Sequence, residues 1–182
     1  MVTFTPRIGV VLGSGLGDFC DSLTDKIIIP YRDIPHFKQT AVIGHEGNLV
    51  FGSVNGVHVV CMQGRFHFYE GHSMPDIVFP IKVLKLLKIE VLILTNAAGG
   101  LNDSFQSGDL VLIRDHINLF GVNPLMGLNE PEFGVRFPDM SVTYTPDLIE
   151  IAKTVMKSLH LDVKTGVYAG MTGPSYETPM EV

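Results

Sequence analysis

Short, continuous apolar runs recur along this chain and are separated by Gly, Pro and Asn. They are Ile8-Gly9-Val10-Val11-Leu12, Leu49-Val50-Phe51-Gly52-Ser53-Val54, Val57-His58-Val59-Val60-Cys61-Met62, Val91-Leu92-Ile93-Leu94-Thr95, Leu110-Val111-Leu112-Ile113 and Gly166-Val167-Tyr168-Ala169-Gly170-Met171. Their length and β-branched content predict strands, with Val91–Thr95 the clearest core strand. Asn55-Gly56 lies between two of them and predicts a type I′ hairpin, so antiparallel strands sit beside any parallel sheet. Helical patterning covers two stretches. Ser73 to Lys88 is opened by Pro75 and Asp76 and is apolar on most faces, which predicts a buried helix kinked at Pro80. Thr145 to His160 is amphipathic, with Thr145 as its cap, Leu148, Ala152, Val155 and Leu159 in one stripe, and Glu150 and Lys153 off it. Residues 18–40 lack periodicity and read as loops and short extended pieces. Residues 118–142, rich in Pro, Gly and Asn, read as a long loop of the kind that carries function or subunit contacts.

Composition narrows the class. A chain of 182 residues, 46% hydrophobic and 18% charged, suits one domain with a sizeable core and excludes a disordered protein. A net charge of −6 argues against a nucleic-acid partner, and an anionic substrate then requires a local positive site. Cys20 and Cys61 lie in or beside apolar runs, as expected of reduced, buried thiols in a cytoplasmic protein. No apolar run approaches the ~20 residues of a membrane span. The N-terminus lacks the basic-then-apolar order of a signal peptide.

Candidate chemistry collects where strands end. Gln63-Gly64-Arg65-Phe66-His67-Phe68-Tyr69-Glu70-Gly71 follows a strand, and read as extended chain it turns Arg65, His67 and Tyr69 to one side. An Arg fork beside an imidazole suits a phosphate. The alternative is a strand exit whose Arg pairs with Glu70 and whose His caps a loop. Gly13-Ser14-Gly15-Leu16-Gly17 can present backbone N–H groups and a hydroxyl to an anion, although it matches neither Gly-x-Gly-x-x-Gly nor a P-loop and also suits a plain β-to-α turn. Gly44-His45-Glu46-Gly47 is a turn carrying a His. Thr95-Asn96-Ala97-Ala98-Gly99-Gly100 leaves room for a ligand at a strand's carboxyl end, or packs as a small-residue turn. Tyr176-Glu177, in Thr172-Gly173-Pro174-Ser175-Tyr176-Glu177-Thr178, would suit stacking on a flat ring and accepting its N–H, or would be an ordinary exposed loop. Arg114-Asp115-His116 reads as a structural cluster ending a strand, and His58, His72 and His116 as structural. No residues show metal-ligand spacing.

These five strand-end motifs, in this order, closely resemble the trimeric, low-molecular-mass purine nucleoside phosphorylases over nearly the whole chain. The resemblance implies an α/β fold: a mixed, mostly parallel β-sheet flanked by helices, nucleoside phosphorylase-like and doubly wound, lacking the C-terminal part. Residues 1–182 would form a single, C-terminally incomplete domain. It implies a pentosyltransferase of purine salvage that phosphorolyses inosine and guanosine, or their deoxy forms, to the base and (deoxy)ribose 1-phosphate. It also implies a cytoplasmic homotrimer that needs no cofactor or metal, with inorganic phosphate as co-substrate. Carried over residue by residue, Ser14, Arg65, His67 and the N–H of Ala97 hold phosphate, with His45 on a loop near it. Tyr69 lies against the ribose, Asn96 and Ala97 line the nucleoside site, and Tyr176 and Glu177 stack on and bind the base. Phe137 matches an aromatic given by the neighbouring subunit. Glu177, Asn96 and His67 are the residues expected to act in catalysis.

The family continues past Val182 with a strand and a helix bearing further ribose, phosphate and base contacts, so the chain is expected to be a truncated form. Two other readings stand beside this one. A methylthioadenosine phosphorylase has the same fold and mechanism, but the Arg65–Gly71 segment and the Glu177 carboxylate favour a 6-oxopurine. A non-catalytic truncated subunit would bind without turnover.

Overall fold

A computed structural model describes residues 2–39 and 46–182, and His45 lies outside the described residues. The chain divides into two compact units, Met1–Ala98 and Gly99–Val182.

The first unit is a five-stranded sheet. Its strands are β1 (Ile8–Leu12), β2 (Thr24–Pro30), β3 (Asn48–Val54), β4 (Val57–Gln63) and β5 (Val91–Leu94), in the order β2-β3-β4-β1-β5. β1 runs parallel to β4 and β5, while β2–β3 and β3–β4 are antiparallel. The two-residue turn of the β3–β4 hairpin has Asn55 at φ +48° and Gly56 at +78°, the left-handed pair that a type I′ turn requires. Strand alternation sends Val11, Val60, Met62, Leu49 and Phe51 to one core and Val10, Leu12, Val59, Cys61 and Val50 to the other. Both faces of the central strands are therefore covered, which is why their sequences read as unbroken apolar runs. Burial of each large side chain there contributes about 1.5–3 kcal/mol relative to exposure. Helix α1 (Met74–Leu86) crosses from β4 to β5. Its N-cap Ser73 accepts the Asp76 N–H, and Leu84 enters the first core. Cys20 and Cys61 are both free and buried.

Three expectations in this unit are corrected. Residues 18–40 contain a real strand, β2, which pairs with β3 through a register shift between Thr24 and Ile27. It is an edge strand that leaves most of its residues in contact with solvent, so no clean alternation marks it. α1 buries only Pro80 and Leu84 among its own residues, its other positions being half-buried or, at Pro75, Lys85 and Leu86, exposed. β5 lies at the sheet edge with Ile93 and Leu94 exposed, and is not an enclosed core strand.

The second unit pairs β6 (Val111–Asn118) with β7 (Lys164–Gly170) in parallel and carries helix α2 (Pro146–Ser158). The sheet pairings are thus mixed and mostly parallel, with helices between strands, as the fold expectation states. Lys164 and Asp109 form an ion pair, and residues 119–144 form neither helix nor strand. The Arg114-Asp115-His116 trio lies inside β6 at a register shift instead of ending it. α2 buries Met156, whereas Leu148, Val155 and Leu159 of the expected core stripe are exposed. Thr145 precedes α2 without a side-chain capping bond. Among the described residues, no helix is long and apolar enough to cross a membrane.

Candidate active site

The carboxyl ends of β4, β1 and β5 lie side by side because β1 pairs with both neighbours. This brings together three segments that are distant in sequence: the Gly13–Gly17 turn, Gly64–Glu70 and Thr95–Ala97. The turn closes through Leu16 N–H to Gly13 C=O at 3.1 Å, with Gly15 at φ +80°, and it leaves Ser14 exposed. Gly13 is required by crowding. A Cβ there would lie 2.7 Å from the Thr95 carbonyl oxygen, 2.8 Å from Asn96 Cα and 2.9 Å from Arg65 Nη1. The same distances show that the Arg65 guanidinium comes directly against the glycine turn and the start of the Asn96-Ala97 segment.

Phe66 anchors the Arg65–His67 segment. It is buried and makes edge contacts with Tyr31, Phe37 and His72 at ring centroid distances of 5.5, 6.3 and 5.6 Å. Tyr31 is itself buried and donates from its hydroxyl to the carbonyl of Gly64, the residue just after β4, at 2.7 Å. Burial pushes the Tyr31 phenol well above its ordinary range, so it remains a donor. The expected extended alternation fails beyond His67, because Phe68–Glu70 forms a 3-10 turn closed by Gly71 at φ +85°. Tyr69 nevertheless reaches His67 by another route, with the two rings stacked at 4.7 Å.

Glu70 holds the imidazole. Its Oε2 accepts the His67 backbone N–H at 2.7 Å and faces His67 Nδ1 at 3.1 Å. Burial lowers the His67 pKa and the Arg65 charge adds to that, while Glu70 opposes both. The folded value therefore lies below that of the unfolded chain, and the imidazole is mainly neutral at pH 7. The unfolded chain binds the extra proton first, so this contribution to stability is full above the ordinary histidine value of 6.5 and is lost as pH falls through the window beneath it. Replacing Glu70 by Gln removes the opposing influence. We expect the His67 pKa to drop further in an NMR titration of its ring protons, and an unchanged value would mean that Glu70 does not hold the ring.

On the β5 side, Asn96 is half-buried with its Nδ2 donating to Ala97 C=O at 3.2 Å, and Ala97 is exposed. Gln63 links the turn to the hairpin, donating to Gly17 C=O at 3.3 Å and accepting from Asn48 Nδ2 at 3.1 Å. Of the histidines read as structural, His72 packs its ring against Phe66. His58 bonds Ser53 Oγ and stacks on Phe4, and His116 bonds the Tyr144 hydroxyl.

The remaining expected residues belong to the second unit. Phe137 is 87% exposed beneath the Arg136 guanidinium, Tyr176 is 93% exposed and Glu177 is exposed. Two open cavities, of about 360 and 330 Å³, are lined by residues around Tyr31 and Asn48 and around Arg114 and Lys153, and neither includes Ser14, Arg65 or His67. Sequence reasoning missed Tyr31, Gln63, Thr95 and Glu70 as supports of the site. Only Glu70, three residues after His67, carried a local signal for that role.

The first unit therefore presents a guanidinium, an imidazole, a hydroxyl and the exposed residues Ser14, Gly15 and Ala97 around the ends of three strands. This donor set is suited to a tetrahedral anion. The sequence pattern of the phosphorylase superfamily matches residues 7–182. The chain is 53% identical over 178 residues to purine nucleoside phosphorylase 1 of Bacillus subtilis (strain 168), covering 98% of this chain and 66% of the relative. A crystal structure of a purine nucleoside phosphorylase in complex with ribose-1-phosphate superimposes with a TM-score of 0.93 at 49% identity, covering 99% of this chain and 68% of that one. The Schistosoma mansoni purine nucleoside phosphorylase in complex with inosine gives a TM-score of 0.91 at 48% identity, covering 99% and 65%. This chain thus spans about two thirds of the length of these relatives. With its strand ends, fold and sequence in agreement, the chain belongs to the phosphorylase superfamily and, within it, to the purine nucleoside phosphorylase family.

Proposed function

We propose that this protein phosphorolyses purine nucleosides, releasing the free base and (deoxy)ribose 1-phosphate. The observation that carries the reading is the crowding of Arg65 against the Gly13 turn and the Thr95–Ala97 strand end, beside His67. Relatives crystallised with ribose-1-phosphate and with inosine support the substrate class. Ser14, Arg65, His67 and the Ala97 N–H hold phosphate, and His45 joins them. As the glycosidic bond lengthens, the ribose becomes cation-like, and the anion held below it stabilises that charge while attacking. His67, mainly neutral at pH 7, keeps the positive charge of the phosphate site on Arg65. Tyr69 flanks the ribose and Asn96 orients the nucleoside. Tyr176 stacks on the purine and Glu177 accepts a hydrogen bond from its ring N–H, while the negative charge on the leaving base is taken up by a proton from water. Inorganic phosphate is the co-substrate, and no cofactor or metal takes part.

Residues 1–182 act as one nucleoside phosphorylase domain, a reading supported by the family pattern that runs through both units. Phe137, like Leu128 and Val135 of the same 119–144 segment, is an exposed apolar side chain suited to a subunit contact, in keeping with a homotrimer. The two free, buried cysteines suit the cytoplasm. The deciding assay is phosphate-dependent release of hypoxanthine from inosine by the purified 182-residue chain. Turnover that disappears when phosphate is withheld supports the reading. A folded chain that binds phosphate without turnover favours a subunit that binds only, and a folded chain that binds neither phosphate nor purine overturns the assignment.

A further inference from the structure

Thr95 lies where β5 leaves the sheet, and its groups meet the other two segments of the site. Its backbone N–H donates to Val11 C=O at 3.1 Å, continuing the β1–β5 ladder by one step past the last paired residues, Val11 and Leu94. There the ladder stops, and the Thr95 hydroxyl takes over from the backbone. Oγ1 accepts the Gly13 N–H at 2.9 Å and donates to Val11 C=O, also at 2.9 Å. The Thr95 carbonyl oxygen lies 3.5 Å from Arg65 Nη1, a long contact that leaves the guanidinium beside this strand end. Only a hydroxyl side chain of this size can accept from one strand residue and donate to another at a single point. With Gly13 N–H satisfied by a side chain, the β5 backbone is released to turn into Asn96-Ala97. The Ser14 and Ala97 segments are left exposed and facing solvent.

We propose that Thr95 is a positioning residue of the phosphate site: its hydroxyl presets the Gly13–Gly15 turn, and its carbonyl seats Arg65, before the anion arrives. The inference rests on the reading of this strand end as a phosphate site. Such presetting removes an ordering cost that phosphate would otherwise meet on binding.

The test uses the full 182-residue chain with inorganic phosphate as the probe. Phosphate affinity is measured by titration calorimetry, Gly13 amide exchange by NMR and folding by thermal melting. In the unliganded wild type the Gly13 amide exchanges slowly, as a hydrogen-bonded group does. Exchange at the rate of an unpaired amide overturns the proposal even if no variant folds. Thr95→Val keeps the shape and removes the bridge, so phosphate affinity falls about tenfold and Gly13 exchange speeds up by at least about tenfold. Thr95→Ser restores both, which a purely structural role for the side-chain methyl would not produce. A folded Thr95→Val chain with wild-type phosphate affinity overturns the positioning role alone. Failure of the wild type itself to bind phosphate, with the Gly13 amide protected, overturns the phosphate reading and this inference with it.

Discussion

Replacing Arg65 by alanine raises the phosphate concentration needed for half-maximal turnover about a hundredfold, while the nucleoside requirement moves less than about threefold. Arg65 lies against the Gly13 turn and the Thr95 carbonyl, and the half-buried His67 that shares the site is mainly neutral at pH 7. The guanidinium is thus the charge on which an anion at this strand end depends. Charge-assisted hydrogen bonds contribute about 1.5–3 kcal/mol each, or about ten- to 150-fold in affinity. Arg65→Lys keeps the charge and loses the fork, so it falls between the two. Initial-rate kinetics with each substrate varied in turn decide the matter. An equal rise in both requirements would make Arg65 a structural residue, and where turnover is too slow, phosphate titration gives the same comparison.

Gly13→Ala has the second-largest effect, and its cause is steric. The added Cβ would lie 2.7 Å from the Thr95 oxygen and 2.8 Å from Asn96 Cα, both backbone atoms, and 2.9 Å from Arg65 Nη1. The arginine could move aside, but the backbone can yield only by parting the turn from β5. Overpacking of this kind costs about 1–3 kcal/mol in stability. Because the same displacement shifts Ser14, Arg65 and Asn96 together, phosphate affinity falls by at least about tenfold as well. Gly15→Ala is the control. Its φ of +80° makes any side chain strained, yet nothing lies within 4 Å of the added Cβ. It therefore costs about 1–2 kcal/mol of backbone strain without pushing on Arg65. Thermal melting and phosphate titration of both variants separate the two causes, and a Gly13→Ala protein that melts and binds like wild type would contradict the crowding seen here.

Much of the first unit is legible in the sequence because its signals are local. Strands buried on both faces read as apolar runs, so β1, β3 and β4 announce themselves, and Asn55-Gly56 marks its hairpin. Pro75 and Asp76 behind Ser73 mark the start of α1. β2 stayed hidden because an edge strand with a register shift and mostly unburied residues has no alternation to read. In α2 the periodicity identified a helix but not the face that packs. Met156 goes in, while Leu148, Val155 and Leu159 stay out. The 65–71 segment failed through a turn: alternation holds only in extended chain, and Phe68–Glu70 curls.

The sequence by itself determined the residue types that could meet an anion and the order of motifs that resembles this family. Ser14, Arg65, His67 and Asn96 are each visible at the end of a recognisable strand or run. Only the tertiary structure decided which residues hold them in place. The Thr95 hydroxyl lies on Gly13 across 82 positions, and the Tyr31 hydroxyl on Gly64 across 33. Such bonds join segments through the strand order β2-β3-β4-β1-β5, and no periodicity or spacing along one segment encodes a partner in another. Glu70 and His67 are the exception that shows the reason: three positions apart, they meet within a single turn, where spacing in sequence is still distance in space.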